Sequence, residues 1–156
     1  MEGKATIWDP LRKKNVALTP EERVRQWCIG ILSGSLGVPM HMMMSEAAFS
    51  LGKKRYRADI LIYDRKVRPL AVVECKRPEV VLDREVLDQA VRYNMVLNVK
   101  YIIITNGVST FSFRRESGAT GKYVPVFNVP EYGKMLEEQA CDDACIVRDG
   151  LYGDNN

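Results

Sequence analysis

No apolar run in this chain approaches the roughly 18 residues that a membrane-spanning helix needs. The N-terminal stretch MEGKATIWDPLRKK has no apolar core of the kind a secretory signal carries. Cysteine is scarce: Cys28, Cys75, Cys141 and Cys145 are too few and too scattered to form a disulfide framework for 156 residues. Cys28 and Cys75 fall in apolar stretches and are expected to be reduced and buried. In CDDAC, Cys141 and Cys145 could sit one helical turn apart, but no further soft ligands accompany them. The single histidine, His41 in MHMMM, has no partner that would make it a metal ligand, and Met42, Met43 and Met44 read as core filler. Low-complexity tracts and internal repeats are also missing. The expectation is a soluble, cytoplasmic chain folding as one domain over 1–156, with a core at about 19–115 and further strands and a helix at about 110–140. A tail at 146–156 is expected to fray. The formal charge of +3 and pI near 8.7 permit a polyanionic partner without requiring one.

What is present is a regular succession of short elements. ATIWDPLRKKNVALTP reads as an extended lead-in broken by Pro10. Thr19, Pro20 and Glu22 then supply an N-cap, an N1 proline and an N3 acid that closes a capping box. Val24, Trp27, Cys28, Ile31 and Leu32 follow at helical spacing, and SGSLGVP ends the helix. Strands are expected near 43–51, 56–63 and 69–76, an amphipathic helix over 83–99, and a central strand in KYIIITNG. TFSFRR and KYVPVFNVP add two more strands joined by ESGATG, and EYGKMLEEQA a short last helix. The order predicts an α/β (α+β mixed-sheet) fold with helices on the faces of the sheet.

The second and third strands flank DRKVRP, and a hairpin is the simplest connection. With a loop over 65–68 and Asp64 opposite Pro69, opposed residues sum to 133 and Asp59 faces Glu74. Opposed residues share a face, and the period of two adds Lys76 to it while Cys75 points away. Two acids so placed repel unless something neutralises them. A hard cation such as Mg²⁺ needs only one or two carboxylates besides water and phosphate oxygens. The Cys75 carbonyl could add another oxygen. Lys76 would then stand beside the reacting phosphate.

These residues resemble a known family. Asp59 followed by Glu74-Cys75-Lys76 looks like the D…(D/E)-x-K signature of the PD-(D/E)xK nucleases. TPEERVRQ, RADILIYD, AVVECKRP, DQAVRY and YIIITNG together resemble the N-terminal nuclease domain of type I restriction enzyme R subunits, over about residues 7–115. The resemblance implies a restriction-endonuclease-like αβββαβ core and Mg²⁺-dependent hydrolysis of DNA, with Mn²⁺ as a substitute. It makes Asp59 and Glu74 metal ligands and Lys76 the catalytic lysine, and it marks Gln89 and Tyr93. Ala58 stands where the signature has proline, and the helicase motor of such subunits is absent from this chain. The motor would then act in trans, as a helicase/translocase or another restriction-modification subunit.

Plainer readings stand beside these. Glu74 and Lys76 alone would pass for a solvated strand end. Gln89 shares a helical stripe with Val86, Ala90, Tyr93 and Leu97; it either supports the metal site or is a buried amide satisfied by backbone. Tyr93 divides between core packing and phosphate contact. Glu21 either faces the site as a further ligand or is an acid favoured at a helix start. Lys53, Lys54, Arg55, Arg57 and Arg77 cluster around the acids and would bind DNA phosphates. Arg23, Arg25, Arg92, Arg114 and Arg115 add charge that reads more simply as solvated surface. The rival to a nuclease is a non-catalytic DNA-binding or assembly module that keeps the fold, and the strand in YVPVF could pair two copies across a two-fold axis.

Overall fold

A computed structural model describes residues 3–117 and 121–153, with side chains to residue 144. Its elements are β1 (Thr6–Asp9), β2 (Lys14–Ala17), α1 (Pro20–Ser33), β3 (Met43–Leu51), β4 (Lys54–Tyr63), β5 (Pro69–Cys75), α2 (Arg84–Asn94), β6 (Tyr101–Thr105), β7 (Thr110–Arg115), β8 (Tyr123–Val126) and α3 (Tyr132–Gly153). From α1 to β6 this is the expected αβββαβ order. Six strands form one mixed sheet in the order β3-β4-β5-β6-β7-β8. Every pairing in it is antiparallel except β5 with β6, which are parallel and joined through α2. A parallel pair cannot be closed by a tight turn, and the helix supplies the crossover.

Side chains alternate between two cores. Ala71, Val73, Cys75, Tyr101 and Ile103 pack with Val24, Cys28, Ile29 and Leu32 of α1 and with Tyr132 and Met135 of α3. Val72, Ile102 and Ile104 face the other way, toward Ala90 of α2. The sheet is thus covered on both faces, which is why β5 and β6 read as near-continuous apolar runs. The β6–β7 turn needs Gly107, whose φ is +84° and whose missing Cβ would come 3.4 Å from Val24. Among the described residues no helix is long and apolar enough to cross a membrane.

Several local expectations change. The lead-in is a β1–β2 hairpin turning at Pro10, because buried Asp9 accepts the Leu11 N–H at 2.8 Å and binds Arg12. On α1 the buried stripe is Val24, Arg25, Cys28, Ile29 and Leu32, while Trp27 and Ile31 are exposed; the stripe is rotated because Arg25 has buried partners. Thr19 does cap the helix, accepting the Glu22 N–H at 3.0 Å, but the Glu22 carboxylate is spent on Arg12, Arg25 and Gln26 rather than on closing a capping box. Met44 is exposed while Met43 is buried. α2 ends at Asn94 and continues as one 3-10 turn, Met95–Leu97, stopped by Asn98 at φ +54°. Part of the ESGATG loop, residues 118–120, lies outside the described residues, as does the Cys145 side chain; Cys141 is free and exposed.

α3 is also longer than the short helix expected, and takes in most of 146–156. Its third turn is pinned: Asp142 bonds the buried Lys100 ammonium at 2.7 Å, Arg115 at 3.3 Å and the Ser117 hydroxyl at 2.8 Å, and Asp143 is bidentate with Arg68. Burial alone would raise the Asp142 carboxyl, but the hydrogen bonds from Lys100, Ser117 and Arg115 outweigh it and hold the group below its ordinary range. A depressed folded-state value stabilises the fold above the unfolded pKa of about 4 and is lost as pH falls below it. Asp142→Asn is therefore expected to be less stable at pH 7 and to lose less on acidification to pH 3 than the wild type, as read by urea unfolding at both pH values.

Candidate active site

The register of β4 on β5 decides where the acids meet. Ile60 pairs Val73, Leu61 pairs Val72 and Ile62 pairs Ala71, so opposed residues sum to 133 as expected. The loop is not the one assumed: Pro69 pairs Tyr63 rather than Asp64, with an irregularity between Ile62 and Tyr63. Asp64 instead accepts the backbone N–H groups of Lys66 and Arg68, both at 2.9 Å, and so shapes the turn itself.

The ladder stops just before Asp59. Its carboxylate accepts the N–H of Cys75 at 2.7 Å, standing in for a strand partner where β4 leaves β5. The alternation of faces breaks at the same point. Ile60 packs in the α1 core, yet Ala58, two residues away, packs in the α2 core. β3 breaks in parallel: Met43 faces α1 and Ala47 faces α2, with Glu46 between them at φ +53°. Ser45 pairs Ile60 and Ala47 pairs Ala58, which sets Glu46 opposite Asp59. Matched kinks in adjacent strands keep the register and turn both acids out of the regular pattern.

Both acids meet Arg25. Its guanidinium is 5% exposed and lies 3.0 Å from Asp59, 2.5 Å from Glu46, 2.8 Å from Glu22 and 3.8 Å from Glu21. Burial works against the charge, but Asp59, Glu22 and Glu46 outweigh it and raise the Arg25 pKa. Arg25 is thus withdrawn from any surface that could meet phosphate. Glu21 sits half-exposed at the rim of this cluster. Burial first, and the Asp59 charge second, push its carboxyl up, while Arg25 and Lys76 pull it down.

Glu74 follows the undisturbed alternation of β5 and turns to the other helical layer. Oε1 accepts from the Asn94 amide of α2 at 3.2 Å, and Oε2 lies 3.1 Å from the Lys76 ammonium. Asp59 and Glu74 thus approach the end of β5 from different helical layers, whereas regular alternation across the hairpin predicts one shared face. They flank the same peptide: Asp59 takes the N–H of the residue that follows Glu74. The Cys75 thiol points into the α1 core beside Cys28, and that neighbour together with burial pushes it well up.

A cleft of about 510 Å³ opens over this end of the sheet, lined by Glu74, Lys76, Val80, Val86, Gln89, Ala90 and Tyr93. Asp59 is not part of its lining. Gln89 is exposed in the cleft, not buried, because the buried face of α2 runs through Ala90 and Asn94 instead. Tyr93 is 40% exposed; its ring leans on Tyr56 with centroids 5.4 Å apart, and its hydroxyl accepts the Arg57 N–H at 3.4 Å. Of the basic residues, Lys53, Lys54, Arg55 and Arg57 are exposed along the β3–β4 hairpin and Arg77 is exposed beyond Lys76. Lys54 lies over the Tyr56 ring, and Arg57 is 3.4 Å from Glu46.

Arg25, Glu46 and Asn94 were missed as members of the cluster. Arg25 had a signal, since Cys28, Ile29 and Leu32 stand three, four and seven residues further along the helix. Asn94 sits one turn after Ala90 on the inner face. Glu46 had only its isolation as the one acid in MMSEAAFSL.

Among the described residues no group of three or more His, Cys, Asp and Glu side chains is spaced to hold a metal. An ion here would rest on the two carboxylates, backbone and water. Asp59 and Glu74 offer hard oxygens, and their side chains are 15% and 19% exposed. An ion would have to share those oxygens with Arg25 and the Cys75 N–H on Asp59 and with Asn94 and Lys76 on Glu74. That sparse oxygen set fits Mg²⁺.

The fold resembles that of a fragment assigned as an HsdR subunit of a type I restriction enzyme from Vibrio vulnificus YJ016, with a TM-score of 0.59 at 20% identity. The match covers 81% of this chain and 26% of that one. A DUF820 protein assigned as a nuclease, from Anabaena variabilis, aligns at a TM-score of 0.47 and 11% identity over 86% of this chain and 85% of its own. No curated protein matches the chain. The model of the family described as type I restriction enzyme R protein N terminus (HSDR_N) matches residues 20–130, from the first turn of α1 to just past β8, and the chain belongs to that family.

Proposed function

We propose that the chain is a Mg²⁺-dependent DNA endonuclease domain. The observation that carries this reading is Glu74 and Lys76 side by side in an open cleft, with Asp59 bound to the intervening peptide, in a chain of this family. Asp59, Glu74 and the Cys75 carbonyl would hold the ion, with Glu21 at the rim as a further acid. Bound there, it would supply Lewis-acid stabilisation of a phosphodiester. Lys76, 37% exposed, would donate to the charge that develops on the phosphate or orient a water. Gln89 and Tyr93 border the space a substrate would take. Lys53, Lys54, Arg55, Arg57 and Arg77 would bind the DNA backbone without reading sequence. Restriction-modification subunits, including a motor in trans, are the proposed protein partners.

One observation favours the rival module. Arg25 and Lys76 already neutralise Asp59 and Glu74, so the acids do not need a metal for charge balance. Calorimetry with Mn²⁺ and cleavage of supercoiled and linear DNA separate the two. The nuclease takes up the ion and cuts, loses cutting in EDTA, and loses both in Asp59→Ala. DNA binding indifferent to metal, with no cutting, leaves only the module.

A further inference from the structure

We propose that Asn94 is a positioning residue that sets the orientation of the Glu74 carboxylate; the inference rests on the nuclease reading above. Asn94 is the last residue of α2 and is 2% exposed. Its Nδ2 donates to the Ala90 carbonyl at 2.8 Å and to Glu74 Oε1 at 3.2 Å. Both partners are acceptors, so the amide has only one way to face. The Ala90 bond is made within the same helix and fixes the side chain independently of β5. The bond to Ala90 would be enough for a structural role at the helix end. The second N–H is aimed at a carboxylate in the cleft.

The pair of contacts on Glu74 explains why this matters. Asn94 holds Oε1 and Lys76 holds Oε2, so the carboxylate is gripped at both ends and its plane is set. Among the described residues no other donor holds Glu74 against the pull of the ammonium. Without Asn94, Glu74 would pivot fully onto Lys76, masking its own oxygens from a cation and the amine from a phosphate. Partners that orient a ligating carboxylate typically matter about 10–100-fold in metal affinity or activity. Gln89, the amide singled out by the sequence, is exposed in the cleft lining; Asn94 is the amide that touches the acid.

Asn94→Leu keeps the branched shape and removes the donor, and Asn94→Ala serves as a second variant. Mn²⁺ affinity by calorimetry, single-turnover cleavage, KM for DNA and thermal melting would be measured for both and for the wild type. The expected result is Mn²⁺ affinity and cleavage rate each lowered about 10-fold or more in Asn94→Leu, with KM for DNA and the melting temperature held near wild type. Variants that bind Mn²⁺ and cut as the wild type does would overturn the role of Asn94 and leave the nuclease reading intact. A wild type that neither binds Mn²⁺ nor cuts would overturn both.

Discussion

Lys76→Ala is expected to lower the single-turnover rate of DNA cleavage by about 10²–10³-fold, the usual cost of removing one group that stabilises transition-state charge. The fold should barely register the change. Lys76 is 37% exposed and its ion pair with Glu74 faces an open cleft, so its loss costs no more than about 1 kcal/mol. Those two magnitudes separate chemistry from folding in one variant. Mn²⁺ uptake should persist, since the amine is not a ligand and its removal frees Glu74. Glu74→Ala is the contrasting case: it should abolish both uptake and cleavage. A Lys76→Ala protein that cuts plasmid at the wild-type rate would remove the lysine from the mechanism. One that no longer melts cooperatively would mean its role is structural.

Arg25→Met should destabilise the protein by about 3–5 kcal/mol, measured by urea unfolding, because it removes one partner of a buried ionic cluster and strands the others. Glu22 is nearly as buried as Arg25, and Glu46 and Asp59 are mostly covered. Without the guanidinium the kinked strands would bring Glu46 and Asp59 together uncompensated. Arg57→Ala is the internal control: it also meets Glu46, at 3.4 Å, but its side chain is 70% exposed, and its loss should cost under about 1 kcal/mol. Adding Glu46→Gln to Arg25→Met should recover part of the loss, since it removes one of the two acids left facing each other, whereas Glu22 keeps Arg12 and Gln26. Equal, small effects from both arginines would show that the Arg25 cluster is solvated rather than buried.

The two predictions draw on different kinds of information. Lys76 was identifiable from the chain alone, because Glu-x-Lys at the end of an apolar run is a local pattern. Arg25 reads in the sequence as surface charge, because nothing near it announces that Glu46 and Asp59, 34 residues away in the latter case, will converge on it. Gln89 and Asn94 show the same divide on α2. Helical spacing puts Gln89 on the stripe of Val86, Ala90 and Tyr93, but packing turns the face of Ala90 and Asn94 to the sheet. That rotation exposes Gln89 and makes Asn94 a partner of Glu74.

By itself the sequence determined the order of elements from α1 to β6, the two-sided burial of the sheet and the pairing of β4 with β5. These follow from periods of 2 and 3.6 residues and from the breaks at glycine and proline, which are properties of the local backbone. The tertiary structure alone decided which way Asp59 turns, where Glu22 spends its charge and how far α3 runs. A kink at one residue reverses the faces that alternation would assign. A buried charge takes whatever partner the packing brings within reach, and for Arg25 of α1 those partners come from β3 and β4.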